Sequence, residues 1–207
     1  MSARGTLQPR RKPSQERARV TVEAILEAAA QVFARHGYAA GTTNRIAERA
    51  GVSIGTLYQY FPNKDAILVA LIERHLAAGE LLLRPLFEEL VERPPRLREG
   101  IERMLHALLE LHASEPALHR VLFEEAPRPP WLRARLERSF AQAADALAAY
   151  FSSLGEVTVA DPRLAGELVA QCAESITHGL VIHPRSDVQP QRYVVETALM
   201  LERYLTG

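Results

Sequence analysis

From residue 17 onward, apolar positions recur along the chain with a helical period. Val22, Ile25, Leu26, Ala29, Val32 and Phe33 follow the i, i+3, i+4, i+7 spacing of one helical face, and Gly37 follows as a stop. Two short segments come next, at about 43–50 and 54–61. Asn63 can cap a further helix, with Asp65 in its first turn complementing the helix dipole. That helix carries Ile67, Leu68, Leu71, Ile72 and Leu76 toward Pro85, which is expected to end or kink it. Pro94 and Pro95 introduce a helix of about 96–113, and Ser114 and Pro116 start another of about 115–125. The prolines at 127, 129 and 130 break the chain before a long helix to about Leu154. Asp161 followed by Pro162 is a capping side chain and a first-turn proline, opening a helix to about Ile182. A last helix covers about 190–205. The only strand-like run is Glu156–Ala160, so the expected fold class is all-α.

Residues 1–15 lack this periodicity. They hold two prolines and a basic cluster, Arg10, Arg11 and Lys12, and read as a disordered arm that can enter a minor groove or neutralise phosphates. The net charge of the 207 residues is zero, but its distribution is uneven. Residues 1–65 carry 10 Lys and Arg against 5 Asp and Glu, and the remainder carries 15 against 20. A basic front and an acidic back suggest that the front meets a polyanion. The expected organisation is a basic arm at 1–15, a short helical part at 16–63 and a larger helical part at 64–207. A single cysteine, Cys172, excludes an intramolecular disulfide and a cysteine-based zinc site. No apolar run reaches the roughly 18 residues of a membrane helix, and the N-terminus lacks a signal peptide's apolar core. The expected compartment is the cytoplasm, with no membrane partner.

The stretch 42–64 carries the most specific chemistry. Thr42 or Thr43 supplies a capping hydroxyl, Ile46 and Ala47 face inward, and Ala50 closes the segment. Gly51 stands where a tight turn needs positive φ. Val52 plugs the turn, Ser53 can cap the next helix, and Leu57 and Phe61 bury one face of it. The other face shows Ile54, Gly55, Thr56, Tyr58, Gln59 and Tyr60. A solvated face is normally charged; this one offers small residues, hydroxyls, an amide and two aromatics. Such a surface fits a major groove, because Thr and Gln reach base edges, Ile touches a thymine methyl and Tyr hydroxyls bond phosphates. Lys64 adds a positive charge at the start of the following helix. The same spacing also suits an ordinary three-helix packing unit.

These residues resemble the tetracycline-repressor (TetR) family of regulators. The likeness rests on Phe33, Gly37-Tyr38, Thr42-Thr43, Ile46-Ala47, Ala50-Gly51-Val52-Ser53, Gly55-Thr56-Leu57-Tyr58, Tyr60-Phe61 and Lys64, and covers about residues 17–68. It implies a homodimer whose two recognition helices enter successive major grooves of a palindromic double-stranded operator. It further implies phosphate contacts from Thr43, Tyr60 and Lys64, groove positions for Thr56 and Tyr58, and Ile54 and Gly55 at the leading end. Arg45 and Asn44 are further candidate contacts, Ser53 belongs to the same edge, and Ile54 and Gln59 occupy positions that vary within the family.

The remaining residues are too apolar for a tail. The resemblance implies a small-molecule pocket among the helices of about 64–154, with Met104, Leu108, Leu111, His112, Leu122, Phe123, Trp131, Leu136 and Phe140 as candidate lining residues. Each is also an ordinary core residue by type. His106, His112 and His119 invite a metal reading, which the spacing argues against. A break at 114–116 separates His112 from His119, and a six-residue interval puts His106 and His112 about 120° apart on a helix. No acidic partner stands at ligand spacing, so neither metal nor cofactor is expected. Leu164, Leu168, Cys172, Ile176 and Leu180 recur every four residues, among small residues such as Ala165, Gly166, Ala170, Ala173 and Gly179. With Val195 and Leu199 of the last helix they form the expected dimer interface, although the same stripe also suits internal packing. Cys172 within it reads as a small hydrophobe.

The expected function is that of a DNA-binding transcriptional regulator, a repressor released from its operator by a small-molecule effector. The alternative is a DNA-binding protein that acts without an effector, by recruiting partners or organising the chromosome. An enzyme is not expected, because the chain shows no phosphate loop, no Gly-x-Ser-x-Gly and no metal motif.

Overall fold

The computed structural model describes residues 16–184 and 188–207. The basic cluster Arg10, Arg11 and Lys12 lies outside the described residues. Among those described, the chain is all-α and no strand forms. The helices are α1 (Glu16–Ala40), α2 (Thr43–Ala50), α3 (Ile54–Tyr60), α4 (Lys64–Glu92), α5 (Leu97–Ala113), α6 (Pro116–Arg120), α7 (Pro130–Ser153), α8 (Pro162–Ile182) and α9 (Pro190–Thr206). A π-helical turn, Val121–Glu125, follows α6.

Two compact units form. The first contains the described residues up to Ala77 together with Glu115–Arg133. In it α1 packs against α2, α6 and the π turn. Its buried side chains include Ile25, Phe33, Ile46, Leu57, Phe61, Ile67, Leu68 and Leu71. Gly37, the expected stop of α1, leaves helical backbone with φ 69° and ψ 175°, and a short turn continues to Ala40.

The second unit contains Ala78–Ser114 and Ala134–Gly207. Here α5 packs against both α8 and α9. Leu97, Ile101, Met104, Leu105, Leu147, Tyr150, Phe151, Val169, Val194, Leu201 and Leu205 form a continuous core. Asp161 caps α8 as its sequence position suggests, accepting from the backbone N–H groups of Arg163 and Leu164 at 3.0 Å each. Such a cap is worth about 1 kcal/mol. The Tyr150 hydroxyl donates toward the Pro95 and Arg96 carbonyls, at 3.2 and 3.1 Å. Burial pushes its ionisation well above the usual tyrosine range.

Three local expectations change. Of the two outcomes foreseen at Pro85, the helix does not end, and α4 runs on to Glu92. Proline removes one backbone donor; beyond it Leu86, Phe87 and Leu90 join the core of the second unit, and their burial offsets that loss. The strand-like run 156–160 pairs with nothing as a strand. Val157 and Val159 pack onto the core instead, and the Thr158 N–H donates to the Leu205 carbonyl at 2.9 Å. The expected single helix of 115–125 divides into α6 and the π turn, after which the Arg128 guanidinium donates to the Phe123 carbonyl at 2.6 Å.

Candidate nucleic-acid interface

The turn between α2 and α3 follows from residue chemistry. The Thr42 hydroxyl accepts from the Arg45 N–H at 3.4 Å and starts α2. Gly51 ends it in the left-handed conformation, φ 67° and ψ 27°, and its N–H reaches the Ala47 and Glu48 carbonyls. The Val52 N–H then donates to the Ala47 carbonyl at 3.0 Å. Ser53 caps α3 by accepting from the Thr56 N–H at 3.0 Å, and the two hydroxyls lie 2.8 Å apart. Leu57 and Phe61 are fully buried and hold α3 down by one face.

Burial of that face leaves the other outward. Ile54, Gly55, Tyr58 and Gln59 are exposed, and Thr56 and Tyr60 are half-buried beside them. The Tyr58 hydroxyl shares a hydrogen bond of 3.1 Å with the Thr43 hydroxyl, tying α3 to the start of α2. Asn44 and Arg45 are exposed on α2, and the Arg45 guanidinium donates to the Ala40 carbonyl at 2.9 Å. Lys64 sits differently from a free phosphate-seeking cation. Its ammonium donates to the Tyr38 carbonyl at 2.8 Å and lies 3.9 Å from the centre of the Tyr38 ring. The Tyr38 hydroxyl donates in turn to Asp65. The side of α3 away from the core therefore presents donors, acceptors and apolar contacts without a formal charge, between cationic groups at Arg45 and Lys64. That pattern can read base edges while neighbouring groups meet phosphates.

The residues expected to line a pocket divide between the two units. Met104, Leu108 and His112 are buried in the second unit, where Leu111, Leu136 and Phe140 are partly buried. Leu122, Phe123 and Trp131 belong to the first, where Leu122 is buried and the other two are partly so. A groove between α1 and α2, lined by Glu27, Gln31, His36, Arg45, Glu48 and Arg49 among others, contains none of the nine. His106 is exposed. His112 has a neighbourhood that its own helix does not reveal: Glu174 and His178, both on α8.

On the expected dimer stripe, Leu164, Leu168 and Val195 are large apolar side chains exposed at 51%, 44% and 48%. Cys172, Ile176 and Leu199 are partly buried, and Leu180 packs against the core. The small residues beside them do other work. Ala165, Gly166, Ala170 and Ala173 are buried within their own unit, and Gly166 approaches the α7 backbone at Ala144 and Ala148 too closely for a Cβ. Among the described residues, no helix is long and apolar enough to cross a membrane.

A short capped helix, a glycine turn and a second capped helix presented by one face make up a helix-turn-helix. Residues 25–71 match the model for bacterial regulatory proteins of the tetR family, and residues 96–205 match the tetracyclin repressor-like C-terminal domain. The chain belongs to the tetR family. The HTH-type transcriptional regulator YvkB of Bacillus subtilis is 31% identical over 116 residues, 54% of this chain and 61% of that protein. The chain spans about half the length of the curated relatives it matches. A TetR-family regulator from Mesorhizobium loti superposes with TM-score 0.70 at 21% identity, over 92% of this chain and 97% of that one, a likeness of fold. SmeT, the repressor of the Stenotrophomonas maltophilia multidrug efflux pump SmeDEF, has been solved with triclosan. That complex matches at 25% identity and TM-score 0.59, over 87% of this chain and 90% of SmeT.

Proposed function

We propose that this regulator is a repressor that binds a palindromic operator as a homodimer and is released by a small-molecule effector. The observation carrying the reading is the uncharged outward face of α3, held by the buried Leu57 and Phe61. In this reading residues 16–63 are the DNA-binding part and 64–207 the effector-binding and dimerising part, working in the cytoplasm. Ile54, Gly55, Thr56, Tyr58 and Gln59 face the groove. Thr43 and Tyr60 meet phosphates, with Ser53, Asn44, Arg45 and Lys64 at the edge. Lys64 first has to yield part of its bond to the Tyr38 carbonyl.

The exposed apolar side chains Leu164, Leu168 and Val195 support a dimer through α8 and α9, since contiguous exposed apolar residues mark interaction surfaces. SmeT, a repressor that binds triclosan, supports effector control. An effector acts by binding the operator-competent and operator-incompetent states with different affinities. The reading has a direct test, selection of duplexes from a randomised pool with the purified chain. It predicts enrichment of an inverted repeat with half-sites about one helical turn apart, roughly 34–36 Å. No enrichment over unselected DNA contradicts it.

A further inference from the structure

We propose that His112, Glu174 and His178 form a binding site for a divalent transition-metal cation of the zinc type. The three residues come from two helices of the second unit. His112 lies in the last turn of α5 and is 2% exposed. Glu174 and His178 are four residues apart on α8, so they share one face of that helix.

The Glu174 carboxylate lies close to both imidazoles. The Glu174 Oε1 lies 3.0 Å from the His178 Nε2 and 3.7 Å from the His112 Nε2. Ligand atoms bound tetrahedrally at about 2.0–2.2 Å from zinc stand roughly 3.3–3.6 Å apart, between these two distances. The two imidazoles meet edge to face, with centroids 4.3 Å apart and planes at 87°. One nitrogen of His112 and one of His178 lie within 4.8 Å of each other. Two imidazoles and a carboxylate suit zinc, cobalt or nickel; calcium and magnesium require oxygen donors. Three protein ligands leave a coordination position open for water or another small donor.

His112 is buried and Glu174 is part-exposed, and a divalent cation brings charge complementary to the Glu174 carboxylate while neutral imidazoles serve as its ligands. A bound ion also ties the end of α5 to the middle of α8. The inference rests on these positions and not on the operator reading; His112 is also one of the residues expected to line the effector pocket.

The test uses the full chain, stripped with chelator and titrated with cobalt(II) alone, then with zinc(II). The expected result is one cobalt per chain, with intense visible bands of tetrahedral cobalt that zinc abolishes. Glu174→Gln and His178→Gln should each weaken binding at least tenfold while circular dichroism shows an unchanged helix content. They are preferred to a change at the buried His112, which risks the fold. His106→Ala, exposed on α5, should bind as the parent does. Absence of cobalt bands and of zinc binding in the parent overturns the proposal. Equal binding in the parent and in both α8 variants overturns it too, as does loss of binding in His106→Ala.

Discussion

Replacing Gly51 with alanine isolates one physical term. A Cβ built on Gly51 meets no atom within 4 Å, so packing contributes nothing to the cost. What remains is the backbone, φ 67° and ψ 27°. Holding an L-residue in that left-handed region costs about 1–2 kcal/mol. For a chain of this size each kcal/mol lowers Tm by roughly 2–4 °C. Gly51→Asn should cost less, because an asparagine side chain tolerates the conformation. Gly155→Ala is the control: its Cβ also meets open space, without the positive φ. Thermal unfolding followed by far-ultraviolet circular dichroism ranks the four proteins, at matched concentration because any self-association would raise Tm by mass action. Amide hydrogen exchange over residues 44–61 localises the effect. The account requires alanine to be the least stable and Gly155→Ala to stay near the parent. The reasoning is refuted if Gly51→Ala melts with the parent, or if asparagine costs as much as alanine.

Three further predictions concern the core, the salt bridge and the α8 face. Phe61→Ala empties a fully buried site below α3 and should cost about 3–5 kcal/mol in denaturant titrations; a loss below 1 kcal/mol contradicts the packing described. The Arg103 guanidinium beside Glu89, through its hydrogen bond first and its charge second, holds the Glu89 carboxyl below the usual carboxylate range. The pairing therefore stabilises above the ordinary carboxylate value, and its contribution is lost as pH falls through the lowered one. In Arg103→Ala the Glu89 titration midpoint followed by NMR should rise, and an unchanged midpoint counts against the pairing. Leu164→Glu with Leu168→Glu places two charges on the exposed stripe of α8. Sedimentation should then report a folded monomer, whereas an intact dimer moves the interface elsewhere.

How much was legible from residues alone depended on how local each determinant was. The turn at Gly51, the caps at Thr42, Ser53 and Asp161, and the buried pair Leu57 and Phe61 are all set within a few positions of one another. Composition and spacing report them directly. Pro85 shows the opposite case: its effect on α4 depends on Leu86, Phe87 and Leu90 finding a core built from distant helices. The stripe of small residues on α8 was visible, but not the neighbour it serves, which at Gly166 is α7 of the same unit. In the sequence His112 was weighed only beside His106 and His119, because Glu174 and His178 reach it only when α8 packs on α5. A search of α8 for carboxylate and histidine four residues apart offers the one local signal. Lys64 was legible as a cation but not as a partner of the Tyr38 carbonyl, a contact made only when α4 returns to the end of α1.

The central claim is that the outward face of α3 reads DNA, and Tyr58 tests it most directly. It is exposed, and its hydroxyl meets only Thr43 among the hydrogen bonds described. Fluorescence anisotropy compares the parent and Tyr58→Ala on the selected inverted repeat and on an unrelated duplex. The account predicts that the variant, still folded and with its oligomeric state unchanged, loses about 1–3 kcal/mol of affinity for the repeat. Equal affinity of the two proteins for the repeat would contradict it.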